Sequence, residues 1–193
     1  MDNEINSPFQ SEDTLKEDEL YNAVESNDIP RVESFNADEL CRLCLKRRAF
    51  VSEWSSPDDE QQSAYQRACL LGRTEIVQCM INAGVEVDQK FSGGDSYSTM
   101  RGALIFACQS RTISTVTALL NAGASCYTFA SCSLNYVYNT APGIRVFGRY
   151  SHQTVSWENL YPIHMAIIDN NLQMLEKFLQ PNTSRLLVYI IDL

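Results

Sequence analysis

Apolar residues recur at helical spacing in four separate stretches of the chain. Ile76 and Val77 stand four and three residues before Met80, and Val116 stands three residues before Leu119. Residues spaced in this way share one face of an α-helix. The pattern therefore predicts short helices that pack through their apolar faces. The four stretches are residues 18–35, 63–88, 102–125 and 161–179.

Glycine and asparagine mark the predicted ends of these helices. Gly84 and Gly123 follow the second helix of their stretches, where a left-handed residue commonly ends a helix. Gly72 and Asn170 lie between the two helices, and both residue types tolerate positive φ. Arg111 occupies the same position in the third stretch. The sequence predicts that this turn is strained or differently shaped.

The second stretch resembles an ankyrin repeat. It reads SAYQRACLLGRTEIVQCMINAGVEVD, while the ankyrin pattern runs Thr-Pro-Leu-His-x-Ala-Ala-x-x-Gly-His-x-Glu-Ile-Val, a short apolar helix, and Gly-Ala-Asp-Val-Asn. The other three stretches are similar to it at fewer positions. The equivalent residues Asp18, Ser63, Gly102 and Tyr161 are 45, 39 and 59 residues apart, against a family period of about 33. The matching residues of the second stretch are Ala68, Gly72, Glu75, Ile76, Val77, Gly84, Val87 and Asp88.

The resemblance implies an all-α fold, an ankyrin-repeat solenoid of about four degenerate units. It assigns structural roles to small and turn residues and to His164, which stands at the family's histidine and would tie a turn to neighbouring backbone. Ala68, Ala107 and Ala166 fall where two helices must approach closely. The implied function is a non-enzymatic adaptor or scaffold that binds a protein partner, with no cofactor, metal or small-molecule substrate. The residues with structural roles are Ala68, Gly72, Gly84, Ala107, Gly123, His164 and Ala166.

The segments between and around the repeats complete the predicted organisation. Thr14 to Glu17 forms a capping-box pattern that predicts a helix start, and residues 37–54 predict an extra helix with Leu40, Leu43 and Phe50 turned inward. The predicted divisions are an acidic disordered N-terminus (1–13), a repeat domain (14–180) and an apolar tail (181–193). Within the domain, repeats lie near 18–36, 63–88, 102–125 and 161–180, and insertions at 37–62, 89–101 and 126–160.

The third insertion concentrates aromatic residues. Residues 126–160 hold seven of the chain's 19 Phe, Trp and Tyr residues. Tyr136 to Tyr138 and Arg145 to Tyr150 flank Asn-Thr-Ala-Pro-Gly, which predicts a β-hairpin-like element. Two interpretations stay open: a hairpin that packs on the solenoid, or a recognition element, because Tyr, Trp and Arg often anchor interfaces.

Composition narrows the function further. The 193 residues carry 24 Asp and Glu against 15 Lys and Arg, a net charge of −9, which argues against nucleic-acid binding. No apolar run approaches the roughly 20 residues of a membrane span. Seven scattered cysteines suggest reduced thiols and hence a cytoplasmic or nuclear location. Two histidines are too few for a site built on several imidazoles. Cys41 and Cys44 form a CxxC pair, but no second ligand pair accompanies it.

The resemblance also indicates where a partner would bind. In ankyrin proteins, partner contacts come from residues just before each first helix and just after its small residues, and the aromatic insertion adds further candidates. The predicted partner-binding residues are Asp59, Glu60, Gln62, Ser98, Thr99, Arg101, Gln109, Ser110, Tyr138, Arg145, Phe147, Arg149, Trp157, Glu158 and Asp169.

An alternative function follows from the end of the chain. Residues 186–191 form an uncharged β-prone run after Pro181, where a solenoid would usually carry a polar cap. The chain would then be a shortened form, with this part serving as the regulatory or substrate-recruiting arm of a longer ubiquitin-ligase receptor, channel or signalling enzyme. An exposed run of this kind predicts self-association, whereas a monomer with a protected tail would indicate that the run folds back as a cap.

Overall fold

The computed structural model describes residues 12–46, 62–88, 102–126, 130–133 and 156–180. These residues are mostly helical, which confirms the expected helical class. None of the helices in these ranges is long and apolar enough to cross a lipid bilayer. In chain order the helices are α1 (Glu12–Ser26), α2 (Ile29–Glu33), α3 (Ala37–Cys44), α4 (Ala64–Leu70), α5 (Thr74–Asn82), α6 (Ala103–Ser110), α7 (Ile113–Asn121), α8 (Pro162–Ile168) and α9 (Leu172–Phe178).

Eight of these helices form four pairs, α1/α2, α4/α5, α6/α7 and α8/α9. The first helices contact one another in the order α1, α4, α6, α8, and the second helices in the order α2, α5, α7, α9. Helix α3 lies against α1, α4 and α5. One apolar core runs through all four pairs, from Leu20 in α1 to Phe178 in α9. Each pair is therefore stabilised chiefly by its neighbours in the stack.

A residue with positive φ joins the two helices of every pair. Gly72 and Asn170 have φ values of 66° and 50°, Asn27 has 58°, and Arg111 also has 58°. The turn at Arg111 is therefore not differently shaped, because its backbone matches the other three. A left-handed conformation costs a residue with a Cβ roughly 1–2 kcal/mol, so the expected strain at Arg111 must be offset by its other contacts.

Side-chain caps fix where several helices begin. Ser63 Oγ accepts a hydrogen bond from Gln66 N at 3.2 Å, and Gln66 Oε1 accepts one from Ser63 N at 3.1 Å. Asn36 and Glu39 form the same reciprocal arrangement at the start of α3. These bonds satisfy N–H groups that have no partner inside the helix. Helix α1 already includes Glu12, two residues before the predicted start at Thr14.

The predicted extra helix is confirmed over Ala37–Cys44, where Leu40 and Leu43 are buried. Phe50 lies outside the described residues. Two short strands, β1 (Ala130–Ser133) and β2 (Ser156–Leu160), pair antiparallel with an irregularity after Ala130. The strands predicted at 136–138 and 145–150, the N-terminus up to residue 11 and the tail from residue 181 also lie outside the described residues.

Candidate functional site

The four left-handed turns lie side by side along one edge of the stack. Arg73 Nη2 donates to Glu25 O in the preceding turn at 3.1 Å. Gly72 is pressed against Thr112 in the following turn, and a Cβ built on Gly72 would lie 2.2 Å from Thr112 Oγ1. Each turn thus contacts the next. We call this surface the turn edge; it comprises residues 25–28, 70–73, 109–112 and 168–171.

An ion pair joins the last two turns. Arg111 Nη2 donates to Asp169 Oδ1 at 2.7 Å, and Arg111 Nε donates to Asp169 Oδ2 at 3.1 Å. The Asp169 side chain is only 6% exposed, and its hydrogen bonds raise the pKa of Arg111. A two-point contact of this kind is stronger than a single ion pair. It offsets the cost of placing Arg111 in a left-handed conformation.

The earlier pairs are joined by further polar contacts that the sequence did not indicate. Arg67 Nε donates to Glu25 Oε1 at 2.6 Å. The hydroxyl of Thr74 lies 2.8 Å from Ser114 Oγ and 2.7 Å from Thr115 Oγ1. These contacts link residues about 40 positions apart in the sequence. They hold neighbouring pairs in register.

Some predicted partner-binding residues are engaged within the stack. Gln109 is only 6% exposed, so little of its side chain is left for a partner. Ser110 Oγ donates to Ala107 O at 2.7 Å and accepts from Thr112 N at 3.1 Å. Asp169 is held by Arg111, and Gln62 is half-buried with a shielded Oε1. On the turn edge, Gln109 is therefore buried, and Ser110 and Asp169 are bonded within the protein itself.

The remaining predicted partner-binding residues belong to the insertions. Trp157 and Glu158 lie on β2, and Trp157 is paired with Cys132 of β1. The strand pair therefore joins the two ends of the aromatic insertion. The other candidates lie outside the described residues; they are Asp59, Glu60, Ser98, Thr99, Arg101, Tyr138, Arg145, Phe147 and Arg149.

The outward side of the first helices changes along the stack. The position five residues before the left-handed residue holds the exposed Asn22 in the first pair and the half-buried Arg67 in the second. The equivalent Phe106 and Met165 are apolar and buried. Helix α6 is buried from Ala103 to Gln109, as expected for a helix with apolar residues on all sides. At this position, the first two pairs have polar residues and the last two have buried apolar ones.

The residues assigned structural roles take up distinct positions. Ala68, Ala107 and Ala166 are fully or almost fully buried. His164 Nδ1 accepts a hydrogen bond from Tyr161 N at 3.3 Å, which caps the start of α8, and the two rings meet edge to face. The imidazole therefore carries its proton on Nε2 when it is neutral. Gly84 and Gly123 follow α5 and α7 with φ values of 100° and 91°.

Four of the described cysteines, Cys44, Cys69, Cys108 and Cys126, are buried thiols. Burial raises the pKa of Cys44 to about 12 and that of Cys126 to about 11, and burial also raises the pKa values of Cys69 and Cys108. Cys41 Sγ donates to Ala83 O at 2.9 Å. At the four buried cysteines, the thiolate, which is the nucleophile and the metal ligand, is disfavoured. Within the described ranges, no three His, Cys, Asp or Glu side chains are grouped to hold a metal ion.

Ion pairs join α1 to α3 at the acidic end of the stack. Arg42 Nη2 donates to Asp13 Oδ1 at 3.0 Å, and Lys16 Nζ donates to Glu39 Oε1 at 3.0 Å. The bond from Arg42 lowers the pKa of Asp13, and the bond from Lys16 lowers that of Glu39. These charges stabilise the docking of α3 on α1.

Comparison with known proteins adds no relative. No protein-family model matches the sequence, and no curated protein is significantly similar to it.

Proposed function

We propose that this chain is an ankyrin-type repeat protein that binds a partner protein and carries out no chemistry of its own. The observation that carries the proposal is the left-handed residue in each of four helix pairs, at Asn27, Gly72, Arg111 and Asn170. Their spacing equals that of the four stretches that resemble ankyrin repeats. A stack of this kind builds an extended surface from repeated turns and helices, which suits the binding of another macromolecule.

The binding surface follows from what the stack leaves open. Gln109 is buried, and Ser110, Asp169 and the half-buried Arg67 are engaged in contacts within the stack, whereas Asn22 on α1 is exposed. We therefore assign partner contacts to the exposed side of α1 and to the aromatic insertion. The insertion lies in a stretch from Ser96 to Trp157 without Asp or Glu, so its arginines favour an acidic partner surface.

The state of the described side chains supports a role without catalysis. The buried thiols are held protonated, and His164 is committed to capping a helix. Six free cysteines among the described residues also suit the reducing cytoplasm or nucleus. These observations support a binding role.

The test is affinity purification with the full chain, followed by titration with each purified candidate partner. The double substitution Arg145→Gln with Arg149→Gln should slow association roughly threefold to tenfold and reduce its salt dependence. A matched control, Asn121→Asp with Gln173→Glu, makes the same change in net charge on exposed positions of α7 and α9. The control should bind as the wild type does.

Two results would count against the proposal. If no protein binds the folded chain saturably and in preference to the heat-unfolded chain, the binding function is wrong. If a partner binds but neither double substitution changes its association rate, the insertion does not contact it.

A further inference from the structure

The last helix pair presents an apolar outer face. Ile167 on α8 is 55% exposed, Leu172 on α9 is 67% exposed, and Leu179 just after α9 is 42% exposed. In the described part of the chain, the one other large apolar side chain exposed to this degree is Leu15, 55% exposed on α1 at the opposite end of the stack. We call Ile167, Leu172 and Leu179 the C-terminal face.

The positions equivalent to Ile167 are buried in the earlier pairs. Ile167 stands three residues before the left-handed residue of its turn, as do Cys69 and Cys108, and both cysteines are fully buried. Five residues after the same turn residue, Val77 and Val116 are fully buried, whereas Leu175 is only half-buried. The C-terminal face is therefore the surface on which a further layer would pack, and no described element covers it.

The sequence that follows has the composition such a layer needs. Residues 181–193 lie outside the described residues, and residues 186–191 read Leu-Leu-Val-Tyr-Ile-Ile. The five residues 181–185 can span up to about 17 Å when extended, whereas α9, with seven residues, is about 10 Å long. The linker is therefore long enough for the run to lie along α9 without moving the stack.

We propose that residues 186–191 pack on the C-terminal face of the same chain and cap the stack. A short connection gives the run an effective concentration in the millimolar range, so docking within one chain needs little affinity. A second copy fits less well, because three partly exposed side chains offer far less than the about 800 Å² per partner of a standard interface. One intramolecular contact removes both the apolar face and the apolar run from water.

Limited trypsin digestion of the full chain tests this cap. Arg185 directly precedes the run and is the only basic residue after Lys177, so the initial rate of cleavage at Arg185 reports how often the run is undocked. Leu172→Asp should raise this rate about tenfold, the effect of losing part of one buried leucine contact. Leu172 is exposed at the first residue of α9, where Asp suits the helix dipole, so the helix should remain folded.

Two variants and a dilution series make the result decisive. Ile167→Asp should also speed cleavage, whereas Leu15→Asp, an equally exposed leucine at the far end, should not. Far-UV circular dichroism checks that each variant keeps its helices. Equal cleavage rates in the wild type and both face variants would overturn the cap. Protection that disappears on dilution over a roughly hundredfold range would show that a second copy covers the face instead.

Discussion

Gly72 and Thr112 lie so close that no side chain fits between them, since a Cβ on Gly72 would lie 2.9 Å from Thr112 Cβ as well as 2.2 Å from its Oγ1. The two residues belong to neighbouring turns of the turn edge. The backbone at Gly72 also has a φ of 66°. This one position therefore sets both the shape of a turn and the spacing between two helix pairs.

Gly72→Ala should lower the free energy of unfolding by about 2–4 kcal/mol, from the left-handed backbone and the overlap with Thr112 together. Urea denaturation measures it. Gly123→Ala is the matched control, because Gly123 has a φ of 91° but nothing within 4 Å of a built Cβ. It should cost only about 1–2 kcal/mol. Equal losses in the two variants would contradict the close approach.

Ala107→Leu should lower the free energy of unfolding by about 1–3 kcal/mol, because Ala107 is fully buried and a larger side chain overpacks the contacts of α6. Thermal melting followed by circular dichroism provides the measurement. Ala122→Leu, at an exposed position after α7, should leave the melting temperature nearly unchanged. An unaltered melting temperature for Ala107→Leu would show that α6 has room that the structure does not show.

Arg111→Gly should destabilise the stack even though glycine suits a φ of 58°. The substitution leaves the buried Asp169 carboxylate without its donors, at a cost of about 1.5–3 kcal/mol, while relief of the left-handed backbone returns about 1 kcal/mol. Arg111→Ala loses the same donors but keeps the backbone strain, so it should be the less stable variant by about 1 kcal/mol.

A double-substitution cycle separates the energy of the Arg111–Asp169 ion pair from the backbone strain at Arg111. Asp169→Asn removes the charge that needs Arg111, so the combination with Arg111→Gly should be more stable than the sum of the two single effects. Additive losses in urea denaturation would mean that the two side chains contribute independently.

Stability should fall below about pH 4 through the ion pairs between α1 and α3. The pKa values of Asp13 and Glu39 are lowered in the folded chain. Their contribution is therefore fully present above the unfolded pKa values and is lost as the pH falls through the folded ones. The double substitution Asp13→Asn with Glu39→Gln should make the melting temperature depend less on pH between pH 5 and pH 3. Parallel profiles for variant and wild type would exclude these carboxylates as the cause.

Thiol labelling should divide the cysteines by their environment. Cys44, Cys69 and Cys108 are buried with raised pKa values, so iodoacetamide at pH 8 should leave them unmodified in the native chain. The partly exposed Cys41 should react sooner. Mass spectrometry of peptides measures the order, and the urea-unfolded chain should label at all seven cysteines. Rapid labelling of Cys108 in the folded chain would contradict its burial.

Helical spacing was enough to predict where most helices lie, because residues such as Ile76, Val77 and Met80 sit on faces that only a neighbouring helix can cover. Gly72 and Asn170 were predictable as turn residues because few residue types adopt positive φ readily. Arg111 shows where such reasoning stops. Arginine disfavours a left-handed backbone conformation. The residue that offsets this cost, Asp169, stands 58 residues later in the sequence. Only the stacking of the pairs brings the two together.

The candidate binding residues were less predictable than the helices. The resemblance to ankyrin repeats pointed to Ser110 and Asp169, but local sequence does not reveal that their polar atoms are used by Thr112 and Arg111. Helix α6 carried a visible signal, because a helix that is apolar on every side has no face for solvent. That signal indicates that α6 is buried, but it does not indicate which elements cover it.

The connections between the helix pairs give the molecule a particular kind of evolutionary freedom. Each joins the end of one pair to the start of the next, and the turn-to-turn contacts hold the pairs together whatever the connection contains. Lengthening such a connection costs only about 0.6 kcal/mol per doubling in closure entropy. Selection can thus rewrite the segments between α5 and α6, or between α7 and α8, as separate modules while the stack that carries them stays the same.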